Sequence, residues 1–279
     1  MKADLHLHTT ASDGLLSPAE LVRRSAESGV EVIAITDHDT VEGIAEVLDA
    51  ASAFPKLTVI PGVEISTDIP GDEVHILGYY LDYRGPELIR ILTGQRAFRG
   101  ERGRKMVDKL VGLGVRITLE RVLEIADGAS LGRPHIAQAM VEGGYVSSLG
   151  EAFSRYIGRY GPAYVEREKL TPVEAVEMVV RMSGLPVLAH PADIVGLEDL
   201  LRGLIGAGLV GMEVYYIGYS AEKIDRLSKL AADRGLIACG GSDYHGFEGN
   251  NAEIGAMDIP RSSIVRLAEL ARERSLVLS

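Results

Sequence analysis

The first fourteen residues of the chain contain four side chains of the types that bind metal ions. The stretch MKADLHLHTTASDG places His6 and His8 two residues apart, with Asp4 before them and Asp13 after them. Residues two apart in a β-strand lie on one face, so we expect His6 and His8 to point in the same direction. Imidazole and carboxylate groups grouped in this way favour a site for a divalent cation.

More histidine and acidic residues lie within or directly after short apolar runs further along the chain. Chemistry in parallel α/β folds gathers at the carboxyl ends of the strands, so separate runs can deliver side chains to one rim. A single histidine in such a place is more often a structural polar residue, but six of the seven histidines follow this pattern. The pattern therefore predicts a metal centre, and Mn, Fe and Zn suit its ligand types. The additional candidates are His38, Glu64, His75, His190, Asp243 and His245.

Seven apolar runs alternate with amphipathic patterns. Most runs are nearly continuous, which is typical of strands covered on both faces. Ser17-Pro18-Ala19-Glu20 and Thr171-Pro172-Val173-Glu174 are capping boxes that predict helix starts. Strand–helix alternation of this kind predicts a parallel α/β sheet or barrel. The runs are 3–8, 30–36, 57–62, 73–81, 185–190, 209–216 and 236–241.

A long segment between the fourth and fifth runs has no strong strand pattern. Its periodicity predicts helices at 87–113, 118–126, 133–143 and 148–158. We therefore predict a discontinuous barrel body, 1–85 and 166–279, interrupted by a helical insertion over the barrel mouth, 86–165.

Composition excludes several classes of protein. The chain has 279 residues, a net charge of −11 and one cysteine, Cys239. A strongly acidic chain is not a general binder of nucleic acid, because phosphate contacts need Lys and Arg. One cysteine in an apolar run rules out an internal disulfide and indicates a buried structural thiol. No signal peptide and no apolar run of about 18–20 residues is found, so we expect a cytoplasmic protein with no membrane association and no obligate protein partner.

Six motifs resemble those of the polymerase and histidinol phosphatase (PHP) family of metal-dependent phosphoesterases. They occur in order and lie in both parts of the predicted body. The resemblance implies a distorted (β/α)7 barrel, in agreement with the seven apolar runs. The motifs are D-L-H-L-H-T (4–9), T-D-H-D (36–39), G-V-E (62–64), E-V-H (73–75), A-H-P (189–191) and S-D-Y-H (242–245).

The resemblance also implies a centre for two to three divalent ions, with manganese expected first and iron or zinc as alternatives. Many relatives have histidine where this chain has Asp13, and a carboxylate there still binds a divalent ion. The implied ligand sets are His6, His8, Glu64 and Asp243 for one ion, Glu64, His75 and His190 for a second, and Asp13, His38 and His245 for a third.

The expected reaction is phosphoester hydrolysis by a hydroxide held between two ions at Glu64. No side-chain nucleophile is required for this reaction. Asp37 is expected to orient a ligand imidazole, and Asp39 to cap a helix over 40–53. Glu213 is expected to form structural hydrogen bonds rather than to bind an ion. Four tyrosines are expected to pack at the barrel rim, namely Tyr215, Tyr216, Tyr219 and Tyr244.

Two segments of the predicted insertion bear on the substrate. Segment 96–109, RAFRGERGRKMVDK, has six basic and two acidic residues, and 132–135 reads G-R-P-H. Both resemble a PHP branch that acts on nucleoside 3′,5′-bisphosphates and, as a 5′→3′ exoribonuclease, on 5′-phosphorylated RNA. The resemblance implies that Arg99, Arg133 and His135 hold the phosphate that is not cleaved. The structural alternatives are a solvated helix face for the first segment and an ordinary helix start for the second.

Three other functions are compatible with parts of this pattern. A small phosphomonoester such as histidinol phosphate needs the same metal centre but no second phosphate site. A non-catalytic PHP module, as occurs in some DNA polymerases, would not need every ligand position filled. Amidohydrolases that cleave C–N bonds also begin with H-x-H but use a carbamylated lysine, which the motifs lack. We therefore expect a nucleotide or short 5′-phosphorylated RNA as the binding partner.

Overall fold

A computed structural model describes residues 1–69, 72–166, 170–247 and 252–277. Within these ranges the strands form one seven-stranded sheet in chain order. The sheet nearly closes into a barrel, because Leu7 at its first edge bridges to Tyr244 after its last strand. The strands are β1 (Ala3–Leu7), β2 (Val32–Ile35), β3 (Thr58–Ile69), β4 (Asp72–Tyr79), β5 (Leu185–Leu188), β6 (Gly211–Tyr216) and β7 (Ile237–Gly241).

Helices connect most of the strands, and a group of helices lies between β4 and β5. None of the helices in the described ranges combines the length and the apolar composition that a bilayer crossing needs. The helices are α1 (Pro18–Glu27), α2 (Ile44–Ala51), α3 (Pro86–Gly112), α4 (Leu119–Ala126), α5 (Arg133–Glu142), α6 (Leu149–Ala152), α7 (Pro172–Arg181), α8 (Leu197–Ala207), α9 (Ala221–Asp233) and α10 (Arg261–Val277).

The predicted α/β barrel is confirmed, but the prediction of a parallel sheet is only partly correct. Strands β1 to β3 and β5 to β7 pair in parallel, whereas β4 is antiparallel to both of its neighbours. Strand β3 also continues to Ile69, although its apolar run ends at residue 62. Residues 62–69 pair with β4 in a hairpin. Glu64 and His75 therefore lie inside strands rather than at strand ends.

The outer helices cover the sheet with apolar side chains, while α10 packs against another apolar group that contains Leu5 and Tyr79. The Tyr79 hydroxyl donates to the Leu5 carbonyl oxygen at 2.9 Å, which ties β4 to β1. Cys239 belongs to the same group and has a free thiol. Burial raises the pKa of this thiol well above its usual value, as expected for a structural cysteine.

The helices of the predicted insertion have an apolar core of their own, which includes Met106, Leu110 and Ile136. The first turns of α3 instead pack on the barrel core through Leu88 and Leu92. The predicted helices of this segment are confirmed, with a short π-helical turn, Phe153–Ile157, after α6. The division of the chain at residues 85 and 166 stays a prediction.

The predicted N-caps at Ser17 and Thr171 are confirmed, the reciprocal capping box is found at Thr171 but not at Ser17, and the predicted cap at Asp39 is wrong. Ser17 accepts from the Glu20 N–H, and Thr171 and Glu174 form a reciprocal capping box. Helix α2 spans 44–51 rather than 40–53, and Gly43 precedes it without a side-chain cap. Asp39 does not cap this helix, because its carboxylate turns inward and accepts from the backbone N–H of Ser66 at 3.0 Å.

Asp4 joins the first strand to the segment that follows the last one. Its buried carboxylate accepts hydrogen bonds from the Ser242 N–H at 2.9 Å, the Ser242 hydroxyl at 2.6 Å and the Gly255 N–H at 2.8 Å. These bonds hold the loop after β7 against β1, where the barrel closes.

We expect Asp4→Ala to lower the free energy of unfolding by about 3 kcal/mol, because unpaired buried donors cost about 1–3 kcal/mol each. Chemical denaturation in the presence of a chelator measures this without a contribution from bound ions. Glu222→Ala, at the exposed start of α9, serves as the control and should change stability by less than ~0.5 kcal/mol. Equal stability of the two variants would contradict the assigned role of Asp4.

Candidate metal centre

A single buried carboxylate, Glu64 on β3, lies at the centre of the barrel rim. Its side chain is only 1% exposed. Five imidazole nitrogens lie within 3.3 Å of its two oxygens. The distances are 3.1 Å to His6, 3.2 Å to His8, 3.1 Å to His38, 2.7 Å to His75 and 3.3 Å to His190.

Strand pairing explains why these residues meet. His6 lies on β1 and His8 directly after it. The loop after β2 is held against β3 by backbone bonds from Glu64 N–H to the Asp37 carbonyl and from Asp39 N–H to the Glu64 carbonyl. These bonds position His38 beside Glu64.

Two other members of the centre have unusual backbone conformations. His190 after β5 and Asp243 after β7 have positive φ values of 30° and 50°. Positive φ in a residue other than glycine costs of order 1–3 kcal/mol and is concentrated at functional sites. The fold therefore holds these two residues in strained positions at the same rim as Glu64.

The nine ligand candidates come together in one centre. Three groups have ligand atoms within 4.8 Å of one another. One group is His6, His8, Glu64 and Asp243, which is the ligand set implied for the first ion. Another is His8, Asp13, His38 and His245, which is the set implied for the third ion with His8 added. The last is His38, Glu64 and His75, which has His38 where the set implied for the second ion has His190.

Unsatisfied polar atoms show that these side chains suit cations. Among the described residues, four buried ligand atoms have no hydrogen-bond partner: His8 Nε2, Asp13 Oδ1, His38 Nδ1 and Asp243 Oδ1. Leaving such atoms unpaired costs free energy, whereas a bound cation uses their lone pairs. Nitrogen and oxygen ligands without thiolate fit Mn, Fe or Zn. The ligand role of the nine residues and the identity of the ions stay predictions.

Electrostatics also prepares the centre for cations. Burial opposes ionisation of Glu64, but the neighbouring imidazoles outweigh it and hold the pKa of this carboxyl well below its usual value. Burial lowers the pKa of the His38 imidazole well below its usual value, although Glu64 opposes that shift. Glu64 is therefore anionic, as a metal ligand must be. Burial opposes protonation of His6 and His8, but the nearby carboxylates outweigh it and raise the pKa of both imidazoles, so a bound cation would displace protons from them.

Two residues of β6 support the ligands. Glu213 is fully buried, accepts from His6 Nδ1 at 3.1 Å and accepts from the His190 backbone N–H at 2.8 Å. The Tyr216 hydroxyl donates to Asp243 Oδ2 at 2.7 Å. The predicted hydrogen-bonding role of Glu213 agrees with these contacts. Sequence reasoning missed the role of Tyr216, because a register shift between Glu213 and Tyr215 changes the regular alternation of β6.

The Glu213 contact also orients His6. A carboxylate can only accept, so Nδ1 of His6 carries a proton. The Nε2 atom faces Glu64 and Asp243, at 3.1 and 3.3 Å, and is the atom left to bind a cation. A carboxylate behind an imidazole in this way orients it and makes it a stronger ligand.

Asp37 supports the centre indirectly, through the loop between His8 and Asp13. Its buried carboxylate accepts from the Thr9 N–H and the Thr9 hydroxyl, both at 2.7 Å, and from the Ser12 hydroxyl at 2.6 Å. Ser12 Oγ lies 3.5 Å from His8 Nδ1. Asp37 thus holds the loop between His8 and Asp13 rather than bonding an imidazole directly. Sequence reasoning missed Thr9 and Ser12, whose hydroxyl groups in TTASDG were the available signal.

Arg99 connects α3 to the rim. It is buried and donates to Asp39 Oδ2 and to Ser66 Oγ, both at 2.5 Å. Asp39 belongs to the loop that carries His38, and Ser66 lies opposite His75 in the β3–β4 hairpin. The ion pair therefore fixes a helix of the predicted insertion next to two ligand-bearing segments.

A cavity of about 140 Å³ opens onto the ligands. We call it the arginine cavity, because Arg99, Arg102 and Arg133 line it together with Glu73, His38, His75 and His245. Glu73 forms ion pairs with both Arg102 and Arg133. Burial opposes ionisation of Glu73, but the two guanidinium groups lower its pKa to about 2.

The remaining substrate candidates lie elsewhere. His135 is outside the arginine cavity and lines a neighbouring cleft, where its Nδ1 accepts from the Gly132 N–H at 3.0 Å. Arg104 and Lys105 are exposed and pair with Glu101, so this part of the basic segment is a solvated helix face.

The PHP domain family model matches residues 4–156 of the chain. The chain belongs to the PHP domain family. It is 37% identical over 248 residues to the 5′-3′ exoribonuclease of Haemophilus influenzae, covering 88% of this chain and 90% of that protein. It is 33% identical over 251 residues to the 3′,5′-nucleoside bisphosphate phosphatase of Chromobacterium violaceum, covering 87% and 86%.

The PHP fold is supported by a solved structure as well. A Bifidobacterium adolescentis protein described as a metal-dependent phosphoesterase superposes with a TM-score of 0.89 and 28% identity. The superposition covers 96% of each chain. The family resemblance carried by the six sequence motifs is therefore confirmed.

We expect Glu213→Gln to weaken metal binding by about 10- to 100-fold, the usual effect of losing a carboxylate behind a ligand imidazole. The glutamine side chain has one acceptor oxygen where glutamate has two, so it cannot accept from both His6 and His190 as the carboxylate does. Competition with a chromogenic chelator measures the affinity without any assay of activity.

The matched control is Glu177→Gln on the exposed side of α7, which should bind metal like the unaltered protein. Unchanged affinity in Glu213→Gln would show that Glu213 does not position the ligands.

Proposed function

We propose that this PHP protein is a metal-dependent phosphoesterase that acts on nucleotides carrying two phosphate groups. The proposed substrates are nucleoside 3′,5′-bisphosphates, with 5′-phosphorylated RNA cleaved from its 5′ end as the second form. The arginine cavity beside the metal centre is the observation that carries this proposal. The names of the Haemophilus and Chromobacterium relatives support it.

The arginine cavity has the features of a second phosphate site. Guanidinium groups bind phosphate through paired N–H donors, and Arg99 and Arg133 are held in place before any ligand arrives. Arg99 is bonded to Asp39, and Arg133 is paired with Glu73 and lies over the ring of Phe153. Because metal-ligand candidates line the same cavity, a substrate phosphate bound there has its other phosphate within reach of the centre.

Each part of the site has one task in the proposed reaction. The nine residues would hold divalent cations, which would supply an activated water near neutral pH and offset the charge that develops on the phosphoryl oxygens. Glu64 holds the ligand sets together, while Glu213 and Asp37 orient His6 and the loop after His8. Arg99 and Arg133 bind the phosphate that stays intact. Manganese is our first proposal for the ion, with iron or zinc as alternatives.

Two alternative functions fit the site less well. A phosphatase for a small phosphomonoester, such as histidinol phosphate, has no use for three arginines beside the centre. A non-catalytic module has no need for nine ligand candidates, four of which have a buried atom without a hydrogen-bond partner. No side-chain nucleophile is required, and the thiol of Cys239 is buried.

A substrate panel tests the proposed function. The protein loaded with Mn²⁺, Fe²⁺ or Zn²⁺ is assayed with a nucleoside 3′,5′-bisphosphate, a short 5′-phosphorylated RNA and histidinol phosphate. We expect hydrolysis of the first two, little hydrolysis of the third, and loss of all activity in excess chelator. Faster hydrolysis of histidinol phosphate, or activity that survives the chelator, would overturn the proposal.

We expect Arg133→Ala to reduce kcat/KM for a nucleoside 3′,5′-bisphosphate by about 10- to 100-fold, since hydrogen bonds to charged groups contribute about 1.5–3 kcal/mol. The reduction should be much smaller for a nucleoside 3′-monophosphate, which lacks the second phosphate. Steady-state kinetics on both substrates measures the difference.

Arg104→Ala is the matched control, because Arg104 is an exposed arginine paired with Glu101. It should leave both substrates unaffected. An equal loss by Arg133→Ala on both substrates would count against a phosphate site at Arg133.

A further inference from the structure

A second and larger cleft adjoins the metal centre. Its volume is about 410 Å³, within the range of roughly 300–1,000 Å³ that small-molecule pockets occupy. Asp13 and Pro134 line both this cleft and the arginine cavity. We call it the apolar cleft and define it by Leu15, Ile125, Pro134, His135, Gln138 and Phe247.

The two spaces differ in charge. Three arginines line the arginine cavity, whereas the described lining of the apolar cleft includes neither lysine nor arginine. The charged carboxylates of the apolar cleft are Asp13 and Asp127. A phosphate group would be repelled there, while an uncharged planar group would bury apolar surface against Leu15, Ile125 and Phe247.

Phe247 is the outermost ring of a column that begins at the metal centre. Its ring is inclined by only 18° to that of His245, with the centroids 6.1 Å apart. His245 in turn stacks on His8 at 4.0 Å and 16°. A flat aromatic ligand in the cleft can therefore stack on Phe247, in the same space that the metal-ligand candidate Asp13 lines.

Polar groups at the edge of the cleft suit a heterocycle. The Nδ1 atom of His135 accepts a backbone N–H, so a neutral ring carries its proton on Nε2 and can donate there. Gln138 is half-buried and offers both an amide donor and an acceptor. A base presents donors and acceptors along its edge and a flat apolar face, which matches this combination.

We propose that the apolar cleft binds the base of the substrate nucleotide, stacked on Phe247, with His135 and Gln138 at the base edge. The inference rests on the proposed function and deepens it. The arginine cavity holds the intact phosphate and the apolar cleft holds the base, so the two spaces together select nucleotides over phosphorylated sugars. This assignment gives His135 a role at the base instead of at the phosphate.

The test compares adenosine 3′,5′-bisphosphate with ribose 3,5-bisphosphate, which lacks the base. Stacking of a base on an aromatic side chain contributes about 1–3 kcal/mol, so kcat/KM should be about 5- to 150-fold higher for the nucleotide. Phe247→Ala should remove most of this preference by lowering kcat/KM for the nucleotide far more than for the sugar bisphosphate. Phe98→Ala, at an exposed phenylalanine of α3 outside both spaces, is the matched control and should keep the preference.

Calorimetric titration with adenosine gives a second measurement that needs no turnover. We expect the unaltered protein and Phe98→Ala to bind adenosine saturably and Phe247→Ala to lose this binding. The midpoint of thermal unfolding should be the same for all three proteins. Equal kcat/KM for the two bisphosphates, or equal losses on both in Phe247→Ala, would overturn the base site while leaving the proposed function intact. Adenosine binding without hydrolysis of either bisphosphate would support the base site and contradict the proposed function.

Discussion

Five imidazoles facing one buried carboxylate form the arrangement on which the rest of this structure depends. Glu64 has two oxygens, and five histidine nitrogens lie within 3.3 Å of them. Not all of these contacts have hydrogen-bond geometry, and the buried atoms His8 Nε2 and His38 Nδ1 have close oxygens but no hydrogen bond. Divalent cations would satisfy these atoms, because each cation uses several lone pairs at once and compensates the buried negative charge.

Several features of the fold serve to keep that arrangement in place. Asp4 closes the barrel next to His6, and Glu213 orients the His6 ring from behind. The positive φ values of His190 and Asp243 are held by the same packed rim. On the substrate side, the buried pair of Arg99 and Asp39 connects α3 to the loop that carries His38. The proposed phosphate site and the proposed metal centre thus share one support.

The sequence predicted the parts of this structure that depend on local patterns. H-x-H spacing, polar residues beside apolar runs and the helix caps at Ser17 and Thr171 are local signals, and the predictions built on them agree with the structure. The hairpin of β3 and β4 was missed, because the pairing partner of residues 63–69 cannot be read from their own pattern. A buried strand shows the same apolar run whether it pairs in parallel or antiparallel, so the run does not reveal the direction of pairing.

Contacts between distant residues were the other part that could not be predicted. Asp39 has a sequence context that favours a helix cap, but its partner Arg99 is 60 residues away. Tyr216 reaches Asp243 only because the register of β6 shifts near Tyr215. The separation of Arg133 and His135 into two neighbouring spaces depends on how the turn before α5 meets the barrel, and no spacing rule encodes it.

Anomalous diffraction from crystals grown with Mn²⁺ tests the central claim most directly. The account predicts anomalous peaks among the nine side chains, one of them bounded by Glu64 with His6, His8 and Asp243. Crystals that contain Mn²⁺ but show no peak at this rim, or peaks only at exposed carboxylates elsewhere, would contradict the claim that Glu64 organises a metal centre.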